Sequence, residues 1–252
     1  MLRYNADALG FRAKLGVIGP STNTIVQPDF EMLRPVGVTN HYSRIPVENV
    51  EGVTDAAFVA ATNVIGDNTL EAVKWAMTCA PDRLVMGMSA VTFYGGIAGA
   101  QAFRHRMEDY AGIEATIGSQ ALAAALGAFG NVRRVAFLSP YFPSANKAVK
   151  GFLEESGFEV VRDLALQRPS WLAIAETGER EVVDALKAID GDDVDALVQV
   201  GTNLSMVRIA AAAELWLDKP VVAINTATYW HALRALGIED KIYGAGRLLE
   251  RH

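Results

Sequence analysis

Short apolar runs alternate along the chain with longer stretches of helical period. The runs lie at 15–18, 84–86, 135–138, 158–161, 196–200 and 221–224 and are rich in Val, Ile and Leu. Such unalternating runs suit strands buried on both faces, as in a parallel sheet covered by helices. Helix candidates fall between them at 67–80, 99–110, 119–129, 144–156 and 203–217. Gly157 follows one candidate where a C-terminal glycine cap belongs, and residues 218–220 stop another. The alternation predicts an α/β fold with right-handed crossovers.

The pattern repeats. Residues 82–89 (Asp-Arg-Leu-Val-Met-Gly-Met-Ser) align with 195–202 (Asp-Ala-Leu-Val-Gln-Val-Gly-Thr), and 15–20 align with 135–140. Two matches in the same order, at nearly equal offsets, argue for two copies of one unit. The expected division is a first half over 1–116, completed by about 226–252, and a second half over 117–225. Each half is expected to be a mainly parallel sheet covered by helices, with a site in the cleft between them. No linker or low-complexity stretch separates the halves, so they should pack tightly.

Ligands of parallel α/β sheets bind beyond the carboxyl ends of the strands. The residues there are 20–24 (Pro-Ser-Thr-Asn-Thr), 88–92 (Met-Ser-Ala-Val-Thr), Pro140-Tyr141, Gly201-Thr202-Asn203 and Asn225-Thr226. They offer hydroxyls, amides and backbone N–H groups at helix starts, with no lysine and no carboxylate. Each such residue alone is explained as an N-cap. Five clusters at one edge shift the balance toward an anion site built from helix ends and hydroxyl donors.

Composition removes several alternatives. The formal net charge of the 252 residues is -6, without blocks of like charge, which argues against a nucleic-acid partner. Cys79 is the only cysteine, so no intramolecular disulfide or cysteine metal cluster can form. Four histidines without metal-ligand spacing speak against zinc. No dinucleotide fingerprint or Walker-type loop follows a strand. The first ten residues lack the layout of a signal peptide, and no apolar stretch approaches the roughly 20 residues that span a bilayer. A cytoplasmic protein without membrane partners is expected; a homo-oligomer is compatible with the sequence.

His41 and Arg44 follow an expected strand over 36–40. His41 is a candidate acid or base and Arg44 a candidate carboxylate clamp, with structural hydrogen bonding as the alternative for both. Trp230-His231 reads as packing, and Gly95-Gly96 and Gly244-x-Gly246 as turns.

Taken together, 20–24, His41-x-Ser-Arg44, the turn over 89–94, Pro140-Tyr141, Thr202-Asn203-Leu204 and the stretch from Pro220 to Trp230 resemble the maleate isomerase and arylmalonate decarboxylase group. That group lies within the aspartate/glutamate racemase superfamily, and the resemblance runs over about 15–247. It implies two α/β halves related by a pseudo-twofold axis, no cofactor and no metal. It also implies reaction of a small carboxylate or dicarboxylate through an enediolate-like intermediate, with cysteines as nucleophile or proton donor. Anion binders of the group map onto Asn23, Ser89, Tyr141, Thr202 and Asn203, and Thr92 and Gly201 complete the expected substrate-binding set. Where the group places its cysteines this chain has Met88 and Gly201, the same two positions that the internal repeat pairs. Neither supplies a thiol. The proton shuttle then falls to Tyr141, His41 or a bound water, and the expected catalytic residues are Tyr141 and His41. The alternative is a carboxylate-binding or regulatory protein without catalysis.

Overall fold

The computed structural model describes residues 7–252. The expectation for the N-terminal ten residues lies, for 1–6, outside the described residues. The first sheet is built from β1 (Ala13–Pro20), β2 (Val38–Ile45), β3 (Arg83–Met86) and β4 (Ala115–Thr116). Around it run α1 (Val26–Met32), α2 (Asp55–Asp67), α3 (Thr69–Ala76) and α4 (Gly96–Ala111), and α5 (Gly118–Ala128) follows β4. The second sheet contains β5 (Arg134–Ser139), β6 (Glu159–Ala165), β7 (Ala196–Gln199) and β8 (Val221–Ala223). Its helices are α6 (Pro143–Glu155), α7 (Trp171–Ala175), α8 (Glu179–Ile189) and α9 (Val207–Leu217); α10 (Ile224–Ala235) and α11 (Arg247–Arg251) close the chain.

Every strand pair is parallel, and the sheets share one order, β2-β1-β3-β4 and β6-β5-β7-β8. The repeated segments thus form the central strands of each sheet. Those strands are covered on both faces, which is why their sequences do not alternate: all four residues of β3 and of β7 are buried. The helices bury stripes instead, as with Val182, Ala185, Leu186 and Ile189 on α8. α10 is buried over nearly its whole surface and packs against α5, α1, β3 and β4.

Local chemistry ends the helices where the sequence indicates. Gly157 (φ +90°) follows α6, with the Phe158 N–H donating to Leu153 O at 3.0 Å, and Gly237 (φ +71°) repeats this after α10. Several bounds differ from expectation, and two differences bear on the site. The strand expected at 36–40 runs over β2 instead, so residues 41–44 lie within it. The segment 55–67, which lies ahead of the first helix candidate, is α2: Thr54 caps it by accepting from the Ala57 N–H at 3.3 Å, and Phe58, Thr62 and Ile65 form its buried stripe.

Among the described residues, no helix is long and apolar enough to cross a membrane.

Candidate active site

β1, β3, β5 and β7 all end toward one cavity of about 40 Å³, lined from both halves. Pro20, Thr22 and Asn23 come from the end of β1, Met88, Ser89 and Ala90 from beyond β3, Pro140 and Tyr141 from beyond β5, and Gly201, Thr202 and Asn203 from beyond β7. Ile65 of α2 and Trp171 and Ile174 of α7 complete an apolar wall. Among the described residues, no charged side chain lines the cavity.

The polar wall is a hydrogen-bonded chain across the halves. The Gly201 N–H donates to Ser89 Oγ at 3.2 Å, and Ser89 Oγ lies 2.8 Å from the Tyr141 hydroxyl. Two hydroxyl protons are present and one is used between the oxygens. The other is left for a ligand, whichever oxygen carries it. Tyr141 is held from behind: its N–H donates to Ser139 Oγ at 3.0 Å, Ser139 bonds Asn146, and Asn146 Nδ2 donates to Asp163 Oδ2 at 2.6 Å. Phe58 of α2 packs on the Tyr141 ring at 5.3 Å and on Trp171 at 5.1 Å. Burial pushes the Tyr141 phenol above its ordinary pKa, with the Ser89 hydrogen bond opposing. Tyr141 is therefore a neutral donor at physiological pH.

Asn23, Thr202 and Asn203 line the cavity, but their side chains are largely committed elsewhere. Asn23 Oδ1 accepts from the N–H groups of Ile25 and Val26 at 3.0 and 2.9 Å, ahead of α1, and its Nδ2 donates to Thr202 Oγ1 at 3.0 Å. Thr202 Oγ1 donates in turn to Gly87 O at 3.0 Å. Asn203 accepts from the Thr24 N–H at 2.9 Å and donates to Trp171 O at 2.9 Å. These residues brace the halves and the α7 wall. The second half's free donors are backbone ones: among the described residues the N–H groups of Thr202 and Asn203 have no partner.

Three of the candidate residues lie outside the cavity, and His41 and Arg44 take the structural alternative. His41 does not reach the cavity: it sits mid-strand opposite Gly16 and bonds Thr39 Oγ1 at 2.9 Å, because β2 extends past it. Arg44 is no free clamp, since it donates to Asn23 O at 2.8 Å and Gln27 Oε1 at 2.7 Å. Thr92 lies behind the site, donating to Ser89 O at 2.7 Å and accepting from the Ser119 N–H at 3.1 Å, so it shapes the Ser89 turn without lining the cavity. The strand-end rule does not reach the wall residues Ile65, Trp171 and Ile174; their signals are the Thr54 cap ahead of α2 and the Ser170 cap ahead of α7.

Met88 and Gly201, the two positions that the internal repeat pairs, both line the cavity. Met88 is 5% exposed and fills its place with a thioether. Gly201 has φ +105°, and a Cβ there would lie 2.6 Å from Pro140 Cγ and closer to Cδ. Cys79 precedes β3, at the opposite end of that strand from Met88. Among the described residues, no group of three or more His, Cys, Asp or Glu side chains is arranged to hold a metal ion.

The sequence model of the arylmalonate decarboxylase family matches residues 16–249. The maleate isomerase of Pseudomonas putida is 26% identical over 257 residues, covering 94% of this chain and 96% of that protein. A mutant Nocardia farcinica maleate cis-trans isomerase with a covalently bound succinylcysteine intermediate superposes with a TM-score of 0.84 at 23% identity, over 95% of this chain and 98% of that one. An arylmalonate decarboxylase crystal structure gives 0.74 at 24% identity, over 95% of this chain and 100% of that one.

Proposed function

This chain belongs to the arylmalonate decarboxylase family, and we propose that it acts on a small carboxylate through an enediolate-like intermediate, with no cofactor and no catalytic cysteine. It is an isomerase- or lyase-type enzyme in the company of maleate isomerases and arylmalonate decarboxylases. The observation that carries the proposal is the Gly201 N–H, Ser89, Tyr141 chain, which holds one spare hydroxyl proton in place before any charge develops. Preorganised donors of this kind stabilise negative charge as it forms on oxygen, often the largest single contribution to catalysis.

The missing thiols favour one chemistry over another. Covalent addition to a carbon–carbon double bond, as the succinylcysteine of the Nocardia farcinica enzyme implies there, needs a nucleophile that is later released. Gly201 has no side chain, and Met88 would have to form a sulfonium. Enediolate chemistry needs only that the electron pair freed by loss of carbon dioxide, or of a proton, be held on a carboxylate. The proposed cradle combines the spare proton of the Ser89–Tyr141 pair with the unpartnered N–H groups of Thr202 and Asn203. In reprotonation the enediolate electron pair takes the Tyr141 hydroxyl proton to form the C–H bond, the Ser89 hydroxyl donates to the phenolate left behind, and a proton from bulk water restores the phenol. On the proposed division into 1–116 with 226–252 and 117–225, Ser89 belongs to the first unit and Tyr141, Gly201, Thr202 and Asn203 belong to the second.

The test is proton NMR of the purified protein in deuterated water with phenylmalonate, methylmalonate and maleate. Turnover of a malonate with one deuterium at the new C–H is expected. Silence on all three, with no exchange at any acidic carbon, would argue against an enzyme of this kind.

A further inference from the structure

Thr202 and Asn203 are the central residues of a β-turn, closed by the Leu204 N–H donating to Gly201 O at 3.0 Å. The two main turn types differ chiefly by a flip of the central peptide. A trans peptide holds its carbonyl and N–H antiparallel, so whatever fixes the Thr202 carbonyl also aims the Asn203 N–H. That carbonyl accepts from Asn225 Nδ2 at 3.0 Å, and the same nitrogen donates to Asp29 Oδ2 at 2.8 Å. Both side chains are buried, and neither lines the cavity.

We propose that Asp29 and Asn225 are positioning residues that lock the Thr202–Asn203 peptide with its carbonyl turned away from the cavity and the Asn203 N–H turned toward the substrate oxygen. The proposal rests on the oxyanion reading above and names the device that sets its backbone half. Two acceptors on one side of the Asn225 amide dictate that its NH₂ group faces them. Asn225 Oδ1 is buried without a partner among the described residues, so only the two bonds of its nitrogen orient the side chain. The acceptor strength of Asp29 therefore sets the grip on the turn. Burial raises the Asp29 carboxyl to about 6, with the Asn225 bond and Arg208 opposing. The charged groups sharing its groove are Arg208 of α9 and Glu179 at the start of α8; neutral Asn225 faces it from α10. Protonation of Asp29 weakens the grip within reach of physiological pH.

The test is amide NMR of the whole chain between about pH 5 and 8, with malonate as the probe. In the wild type the Asn203 amide resonance is expected to titrate with the Asp29 carboxyl. Asp29→Asn keeps an acceptor for Asn225 but cannot ionise, so it should abolish that inflection and leave the turn in place. Asn225→Asp replaces the donor by another acceptor. It should move the Thr202 and Asn203 resonances and weaken malonate about ten-fold, the net worth of one hydrogen bond. An Asn203 amide blind to Asp29 in the wild type overturns the proposal, as does one unmoved by Asn225→Asp. Malonate that shifts no cavity resonance of the wild type would count against the oxyanion reading instead, and the titration would still judge the pair.

Discussion

The ends of β3 and β7 occupy equivalent places in two sheets of one strand order, yet they are finished in opposite ways. Beyond β3, Met88 lines the cavity with a long apolar side chain, and Ser89 presents a hydroxyl. Beyond β7, Gly201 has no side chain, the Pro140 ring occupies the space a Cβ would need, and the Thr202 hydroxyl is spent on Gly87 O. The first end gives side-chain donors and the second gives backbone donors. Duplication fixes where a site can be, since both strand ends must open on the same cleft; the few residues after each strand decide which atoms face it. The ends also hold each other, through Gly201 N–H to Ser89 and Thr202 to Gly87.

The comparison breaks most sharply at Tyr141. Tyr141→Phe removes the hydroxyl bonded to Ser89 while keeping the ring on Phe58, and kcat should fall by about 10²–10³, as for loss of one oxyanion donor; steady-state kinetics on the malonate found by NMR checks this. Installing cysteine at the two equivalent positions should have unequal costs. Gly201→Cys combines a positive φ with collision against Pro140 and should lower stability by about 2–4 kcal/mol. Met88→Cys only shortens a buried side chain and should cost roughly 1–2 kcal/mol. Urea unfolding of both variants measures the difference, and equal costs would mean that the two strand ends are not differently closed.

Asp29 gives a pH prediction of comparable size. Its carboxyl is raised in the fold to about 6 from an ordinary value near 4. The folded state then holds the extra proton, so the group's contribution to stability is greatest below the ordinary value and is lost as pH rises through about 6. Asp29→Asn should remove that loss and stabilise the protein above pH ~6 by up to about 3 kcal/mol. Thermal unfolding at about pH 5 and pH 8 reads it, with the variant's advantage shrinking at the lower pH. The smallest effect is expected at His41: His41→Gln should leave kcat within about two-fold, because the ring bonds Thr39 on β2 and not the cavity.

The central strands were legible because burial on both faces leaves an unbroken apolar run, and duplication wrote that run twice. Asn23, Ser89, Tyr141, Gly201, Thr202 and Asn203 were legible because parallel strands deliver the residues beyond their ends to one edge. The role of those side chains there was less so. Asn23 and Asn203 are braces, and no local pattern tells a brace from a ligand when its partner lies far along the chain. His41 misled because the β2 edge is half-polar, so the apolar run stops before the strand does. The wall from α2 and α7 escaped because two helices reach the cavity from the side, outside the strand-end rule. Asp29 and Asn225 meet only through tertiary packing of α1 on α10.

The central claim is that a cradle shared between the halves, without a thiol, moves a proton at carbon. Its most direct measurement is deuterium incorporation from solvent into the product, compared between Cys79→Ser and Tyr141→Phe. The account predicts one deuterium at full rate in Cys79→Ser, whose residue lies at the far end of β3, and near-complete loss of rate in Tyr141→Phe. A silent Cys79→Ser together with a fully active Tyr141→Phe would contradict it.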